Sequence, residues 1–168
     1  MATRRQAREW ALQLLFQVDH NPVENLDQTF EAFWKQQVTT HAEERDDHVH
    51  RAAAGEAPGE GKDAAKIQAF SERVVRGVIH NREAIDARLT EYVKNWPLHR
   101  MGGIERNVLR MAFYELFFEE DTPPIVCINE AVDLAKYFSH AEAGRFVNGI
   151  LDRAAREAKR PSRQRQQK

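Results

Sequence analysis

Arg5, Arg8, Leu12 and Phe16 recur at helical spacing, so on a helix turning about 100° per residue they share one ridge. Arginine's planar guanidinium fork matches the oxygens of a phosphate, and an exposed aromatic ring stacks on an unpaired base for about 1–3 kcal/mol. A basic ridge that ends in an aromatic is therefore a usable RNA surface. The same spacing also suits a solvated basic helix start with Phe16 packed on a second neighbour, and spacing alone leaves both readings open. Arg4, Arg5 and Arg8 crowd a helix N-terminus, where positive charge opposes the helix dipole at about 0.3–1 kcal/mol unless an anion is near. That cost favours an anion-binding role.

Further along, Arg106 and Arg110 lie one helical turn apart and Arg145 falls in the first turn of a later helix. They can extend a basic surface. Alternatively, Arg110 pairs with Glu115 or Glu130 inside a bundle, as a buried arginine must. Asn148-Gly149 interrupts the middle of the last helix at a cost in helix propensity, which predicts close backbone contact with another helix there.

Other chemistry fares worse. His41, His48 and His50 stand beside Asp46 and Asp47, but in a stretch with nothing to fix a coordination geometry, so no metal site is expected. Gly59-Glu60-Gly61-Lys62 lacks the first glycine, the following Ser/Thr and the preceding strand of a phosphate-binding loop. Cys127 is the sole cysteine, which excludes an intramolecular disulfide and a cysteine-based zinc site. No serine sits in a Gly-x-Ser-x-Gly setting and no Gly-x-Gly-x-x-Gly follows a strand. The expectation is a non-catalytic protein without a cofactor.

The elements that must position these residues read as helices throughout. Thr3 with Gln6 forms a capping-box pattern, and Ala7, Trp10, Ala11, Leu14 and Val18 give the first helix an apolar side as far as Asp19. Asn21-Pro22 breaks it, and Leu26, Phe30, Phe33 and Trp34 mark a second, shorter helix. From 39 to 65 the sequence turns to acids, His, Ala, Gly and Pro, which predicts a disordered insertion. Ile67, Phe70, Val74, Val75 and Val78 form a third helix; Ile85, Leu89, Tyr92 and Val93, after Asn81 as cap, form a fourth. The fifth, Ile104 to Phe118, is apolar on most sides from Met111 onward, as expected of a central helix. Thr122-Pro123-Pro124 starts the sixth, with Ile128, Ala131, Val132, Ala135 and Phe138 inward. Ser139 with Glu142 forms a second capping box before Phe146, Val147, Ile150, Leu151 and Ala154 of the seventh, which ends near Ala158. No strand signature or internal repeat is present.

The fold class is therefore all-α: about seven helices in a single domain over 1–158, followed by a basic disordered tail over 159–168. At 168 residues with 42% hydrophobic content, the chain can bury one good-sized core. The net charge of −1 points to neither an acidic nor a nucleic-acid partner, so the distribution decides, and both ends are basic. The first helix lacks the uninterrupted apolar run of a signal peptide, because Glu9 and Gln13 break it. The most apolar stretch, Met111 to Phe118, falls far short of the roughly 18–20 residues that span a bilayer. These features predict a cytoplasmic protein without membrane contact.

Three stretches together carry a resemblance: Arg4-Arg5-Gln6-Ala7-Arg8-Glu9 with Leu12 to Phe16; Ile104-Glu105-Arg106-Asn107-Val108-Leu109-Arg110-Met111-Ala112-Phe113-Tyr114-Glu115-Leu116; and Ile128-Asn129-Glu130-Ala131-Val132-Asp133-Leu134-Ala135-Lys136, continuing to Arg145-Phe146-Val147-Asn148-Gly149-Ile150-Leu151-Asp152. The chain resembles the NusB family of bacterial transcription antitermination factors. The resemblance implies two small helical bundles and a complex with NusE, a small-subunit ribosomal protein, that holds the boxA segment of nascent RNA. It further implies a link to elongating RNA polymerase and other Nus factors on ribosomal RNA operons, and homodimers that cover the RNA surface. By position, Arg4, Arg5, Arg8 and Phe16 match the family's RNA-binding helix. Glu105, Arg106, Arg110, Glu142 and Arg145 match the neighbouring surface, the three arginines falling to RNA and the two glutamates to the protein partner. The 39–65 insertion is longer than the family pattern, and the basic tail is particular to this chain.

Two rival readings remain at this stage. A related helical domain is found attached to ribosomal-RNA cytosine methyltransferases, but that enzyme needs a large α/β domain for which no residues are left. A purely protein-binding helical adaptor would turn the same arginines toward acidic partners.

Overall fold

The computed structural model describes residues 3–46 and 62–158, and the described residues form seven α-helices and one short 3-10 turn. In chain order these are α1 (Thr3–His20), α2 (Leu26–Asp46), α3 (Ala64–His80), α4 (Arg82–Tyr92), a 3-10 turn (Leu98–Arg100), α5 (Gly103–Phe117), α6 (Pro124–Phe138) and α7 (Ala141–Ala158). No strand occurs among the described residues, in agreement with the all-α reading.

The second helix is longer than its apolar pattern suggests. It runs on to Asp46, and α3 already includes Ala64 and Ala65, so both ends of the 39–65 segment are helical. Gln36, Gln37, Ala42, Glu43 and Glu44 are good helix formers by intrinsic propensity, which favours extending a turn already nucleated. Residues 47–61, with His48 and His50, and the basic tail 159–168 lie outside the described residues.

The chain divides into two compact units, Met1–Arg76 and Gly77–Lys168, as two small bundles require. In the first, Trp10 meets Phe33 and Trp34 edge-on at centroid distances of 5.9 and 6.1 Å, with Phe33 and Trp34 themselves 5.0 Å apart. Such edge-to-face pairs add about 0.5–1.5 kcal/mol each beyond their buried area. Trp34 Nε1 donates to Glu72 Oε1 at 2.8 Å, which joins α2 to α3. Buried Ser71 donates its hydroxyl to the Ala7 carbonyl at 2.8 Å, which joins α3 to α1.

In the second unit α5 is the central helix, with Val108, Leu109, Met111, Ala112, Phe113 and Leu116 all buried. The face of α6 turned inward is Cys127, Ile128, Ala131, Leu134 and Ala135, one step round from the predicted set, so that Val132 and Phe138 are only half-buried. Pro124 opens α6 at its first turn, where a missing N–H costs nothing. The seventh helix buries Val147, Ile150, Leu151 and Ala154 as predicted.

Its start is different. His140 Nδ1, not Ser139, accepts the Ala143 N–H at 3.1 Å, while the Ser139 hydroxyl donates to Glu105 Oε1 at 2.6 Å. The tight approach in α7 is also at another glycine. A Cβ on Gly144 would lie 2.5 Å from Lys136 Cγ, whereas one on Gly149 would meet nothing within 4 Å. The packing reason expected for Asn148-Gly149 is therefore absent: both residues are exposed, and Asn148 reaches Asp152 at 3.5 Å.

Where α4 faces α7, Tyr92 donates its hydroxyl to Glu157, and the Arg153 guanidinium stands 5.3 Å from the Tyr92 ring centroid. Burial, and then the hydrogen bond to Glu157, push the phenol up to about 12.

Candidate nucleic-acid interface

The arginine-bearing helix is packed on two sides, and this decides which of its charges reach solvent. Trp10 and its neighbours turn toward α2. The side carrying Arg8 and Leu12 turns toward α3, anchored by the Ser71 hydrogen bond. Arg8 is consequently 3% exposed and Leu12 0%, so the middle of the predicted ridge is interior. At about 100° per residue Arg8 and Leu12 lie roughly opposite Trp10, and that side is covered by a second helix instead of water. Arg8 directs its guanidinium at the Phe70 ring, 5.2 Å from the centroid, and lies 3.5 Å from the Arg4 carbonyl.

The two ends of the ridge stay accessible. Arg4 is exposed, and half-exposed Arg5 reaches Glu9 at 3.6 Å, an i,i+4 pair worth a few tenths of a kcal/mol in water. Phe16 is 39% exposed and leans on His20 with ring centroids 4.4 Å apart. The His20 Nδ1 sits 2.8 Å from the Phe16 carbonyl and so holds that ring beside the exposed aromatic. A phosphate can be met at the start of α1 and a base at its end.

In the second unit, three of the five predicted surface residues are occupied by the fold itself. Arg110 is 5% exposed, and its Nε and a terminal nitrogen meet both oxygens of Asp86 at 2.8 and 2.9 Å. This forked pair joins α5 to α4, a partner that the sequence reading, with Glu115 or Glu130, did not name. A buried guanidinium needs such a partner, and Asp86, 24 residues away, supplies it. Glu105 is 8% exposed; besides accepting from Ser139, it folds back over the start of α5, where a Cβ on Gly102 would fall 2.3 Å from its Oε2. Its negative charge there complements the helix dipole. Arg106 is half-buried and donates to the carbonyls of Leu98 and Met101 at 3.1 and 3.0 Å, which ties α5 to the 3-10 turn before it. Glu142 and Arg145 are both exposed on the first turns of α7 and open to a partner.

Sequence reasoning passed over Phe70, Ser71, Arg73 and Asp86. Phe70 reads as one apolar member of an amphipathic helix, and nothing local to the sequence singles out Ser71, Arg73 or Asp86. The available signal was weak: Phe70 and Arg73 are three residues apart, the spacing at which a cation covers an aromatic on the same helix.

Comparisons with known proteins find relatives over most of the chain. The family model for the NusB family matches residues 5–156. A transcription antitermination protein NusB from Pelotomaculum thermopropionicum is 42% identical over 151 residues, covering 90% of this chain and 88% of that protein. Another from an Exiguobacterium species is 38% identical, covering 92% of this chain and 98% of that one. Among solved structures, a NusB from T. maritima superposes with a TM-score of 0.69 at 34% identity, covering 92% of this chain and 91% of that one. A structure of antitermination factors NusB and NusE in complex with double-stranded RNA superposes with a TM-score of 0.68 at 26% identity, covering 94% of this chain and 98% of that one. No helix among the described residues is long and apolar enough to cross a membrane.

Proposed function

The chain belongs to the NusB family, and on that premise we propose that it is a cytoplasmic, non-catalytic transcription antitermination factor. Its RNA ligand is the boxA segment of ribosomal RNA operon transcripts. NusE completes the site, and the assembled pair links the RNA to elongating RNA polymerase and other Nus factors. The observation that carries the reading is the first helix, where accessible Arg4 and Arg5 precede exposed Phe16 in a chain matched by the family over 5–156. The similar structure containing NusB, NusE and RNA supports the choice of partners.

In this reading Arg4 and Arg5 bind backbone phosphates and Phe16 stacks on an unpaired base. Arg8 adds positive charge from beneath Phe70 instead of touching the strand. Arg145 offers a further cation to RNA and Glu142 an acid to NusE, each from the exposed start of α7. Arg106, Arg110 and Glu105 hold α5 to its surroundings, so their part is to keep that surface rigid. A homodimer would cover the same first helix and compete with RNA.

The test is the double variant Arg4→Glu/Arg5→Glu, titrated with a boxA oligoribonucleotide in the presence of NusE across a range of salt. Losing two phosphate contacts lowers the slope of log affinity against log salt by about 1.4 for a single strand. Unaltered affinity and slope in a folded double variant would overturn the assignment of α1 to RNA.

A further inference from the structure

Three guanidinium groups converge on one aromatic ring in the first unit. Arg4, Arg8 and Arg73 hold their guanidinium carbons 5.8, 5.2 and 5.1 Å from the centroid of Phe70. Two of these cations come from α1; the ring and the third cation come from α3. All three lie within roughly a Debye length of one another at 0.1 M salt, so their fields add.

The ring attracts each cation, by about 0.5–1 kcal/mol at an exposed site, without neutralising any of them. Arg8 is buried, so water screens its charge less than that of a surface arginine, and the Phe70 ring that it faces is half-exposed. Arg4 and Arg73 are both exposed, one on α1 and the other on α3. The result is a concentrated positive site of a kind that a tetrahedral, multiply charged oxyanion fits, because separate oxygens can meet separate guanidinium forks.

We infer that the RNA surface of α1 continues onto α3, where Arg73, arrayed with Arg4 around Phe70, binds a backbone phosphate of the RNA. Phe70 is the positioning residue that holds the two surface forks on a common centre. This deepens the proposed function and rests on it, since the adjoining Arg5 and Phe16 are what make a nucleotide strand, and not an acidic peptide, the expected occupant.

The experiment uses the full chain with NusE and a single-stranded boxA oligoribonucleotide, comparing Arg73→Gln, Arg73→Lys and the Arg4→Glu/Arg5→Glu variant over a salt series, with thermal melting of each. The expected result is that Arg73→Gln weakens binding by about three- to tenfold and lowers the salt slope by about 0.7, while Arg73→Lys keeps the slope. If Arg73→Gln leaves affinity and slope intact while the α1 variant loses both, the extension onto α3 fails and the α1 reading stands. Should neither variant change binding, both fail together. A lowered affinity at constant slope would mark Arg73 as structural, and a loss confined to NusE binding would mark it as a protein contact; either outcome overturns the inference.

Discussion

Removing the carboxylate charge of Asp86 by Asp86→Asn should destabilise the protein without touching its RNA surface. The substitution leaves the Arg110 guanidinium, 5% exposed, without the anion that both its Nε and its terminal nitrogen meet. Breaking a buried ion pair by deleting one partner costs about 3–5 kcal/mol, while exposed pairs contribute about 0–1. The Asp86 side chain retains 28% exposure, so water partly screens this pair and the expected loss is about 2–3 kcal/mol. For a chain of this length, about 2–4 °C of Tm per kcal/mol gives a fall of roughly 4–12 °C. The Arg82 contact to Asp86 at 3.8 Å is exposed and adds only tenths of a kcal/mol. The assay is thermal unfolding of Asp86→Asn, Arg110→Met and the double variant Asp86→Leu/Arg110→Met, each paired with a boxA titration. Because two apolar residues leave no orphaned charge, the double variant should lose less stability than the two single losses added, with RNA affinity within about twofold of the parent. A parental Tm in Asp86→Asn would show that this pair does not anchor Arg110, and a loss of RNA affinity in the stable double variant would return Arg110 to the binding surface.

Three further outcomes follow from the packing. Gly149→Ala should raise stability by about 0.5–1 kcal/mol, since a methyl group there meets open space and helix propensity improves; a lower melting temperature would count against it. Ser71→Ala should cost about 1 kcal/mol in denaturant unfolding by removing the buried hydrogen bond to Ala7, and a neutral result would show that the bond is not what fixes α3 to α1. The phenol of Tyr92 is held above its ordinary 10, at about 12, so the folded state keeps a proton that the unfolded chain releases. Its contribution to stability is complete below pH 10 and is lost as pH rises from 10 through about 12. Tyr92→Phe should therefore show a shallower alkaline loss of stability than the parent, and parallel curves would contradict the assignment.

The helices and their order were legible because the apolar residues recur at helical spacing and because Pro22, Pro97 and the Pro123-Pro124 pair punctuate them. Long motifs such as Ile128 to Lys136 and Phe146 to Asp152 carried the family. What periodicity could not supply was the number of neighbours around a helix. Arg8 and Leu12 lie opposite Trp10 on the wheel, yet α3 occupies that side, and nothing local to α1 records it. Arg110 presents the same difficulty, because its partner lies on another helix and a charged residue reads as surface until that partner is known. Ser139 and His140 exchanged roles for a related reason: Glu105 reaches the serine from 34 positions away and leaves the imidazole to cap α7. Gly149 shows the converse, a helix-weakening residue whose reason the interior of the fold does not supply.

In the proposed function this chain and NusE together hold boxA RNA on the surface begun by Arg4, Arg5 and Phe16. The most direct measurement is a titration of fluorescent boxA oligoribonucleotide with the chain alone and with the chain plus NusE, set beside a scrambled oligoribonucleotide of equal composition. The expected result is weak binding by the chain alone, a marked gain with NusE for boxA, and a much smaller gain for the scrambled strand. Equal affinity for the two strands, with NusE present and both proteins folded, would contradict it.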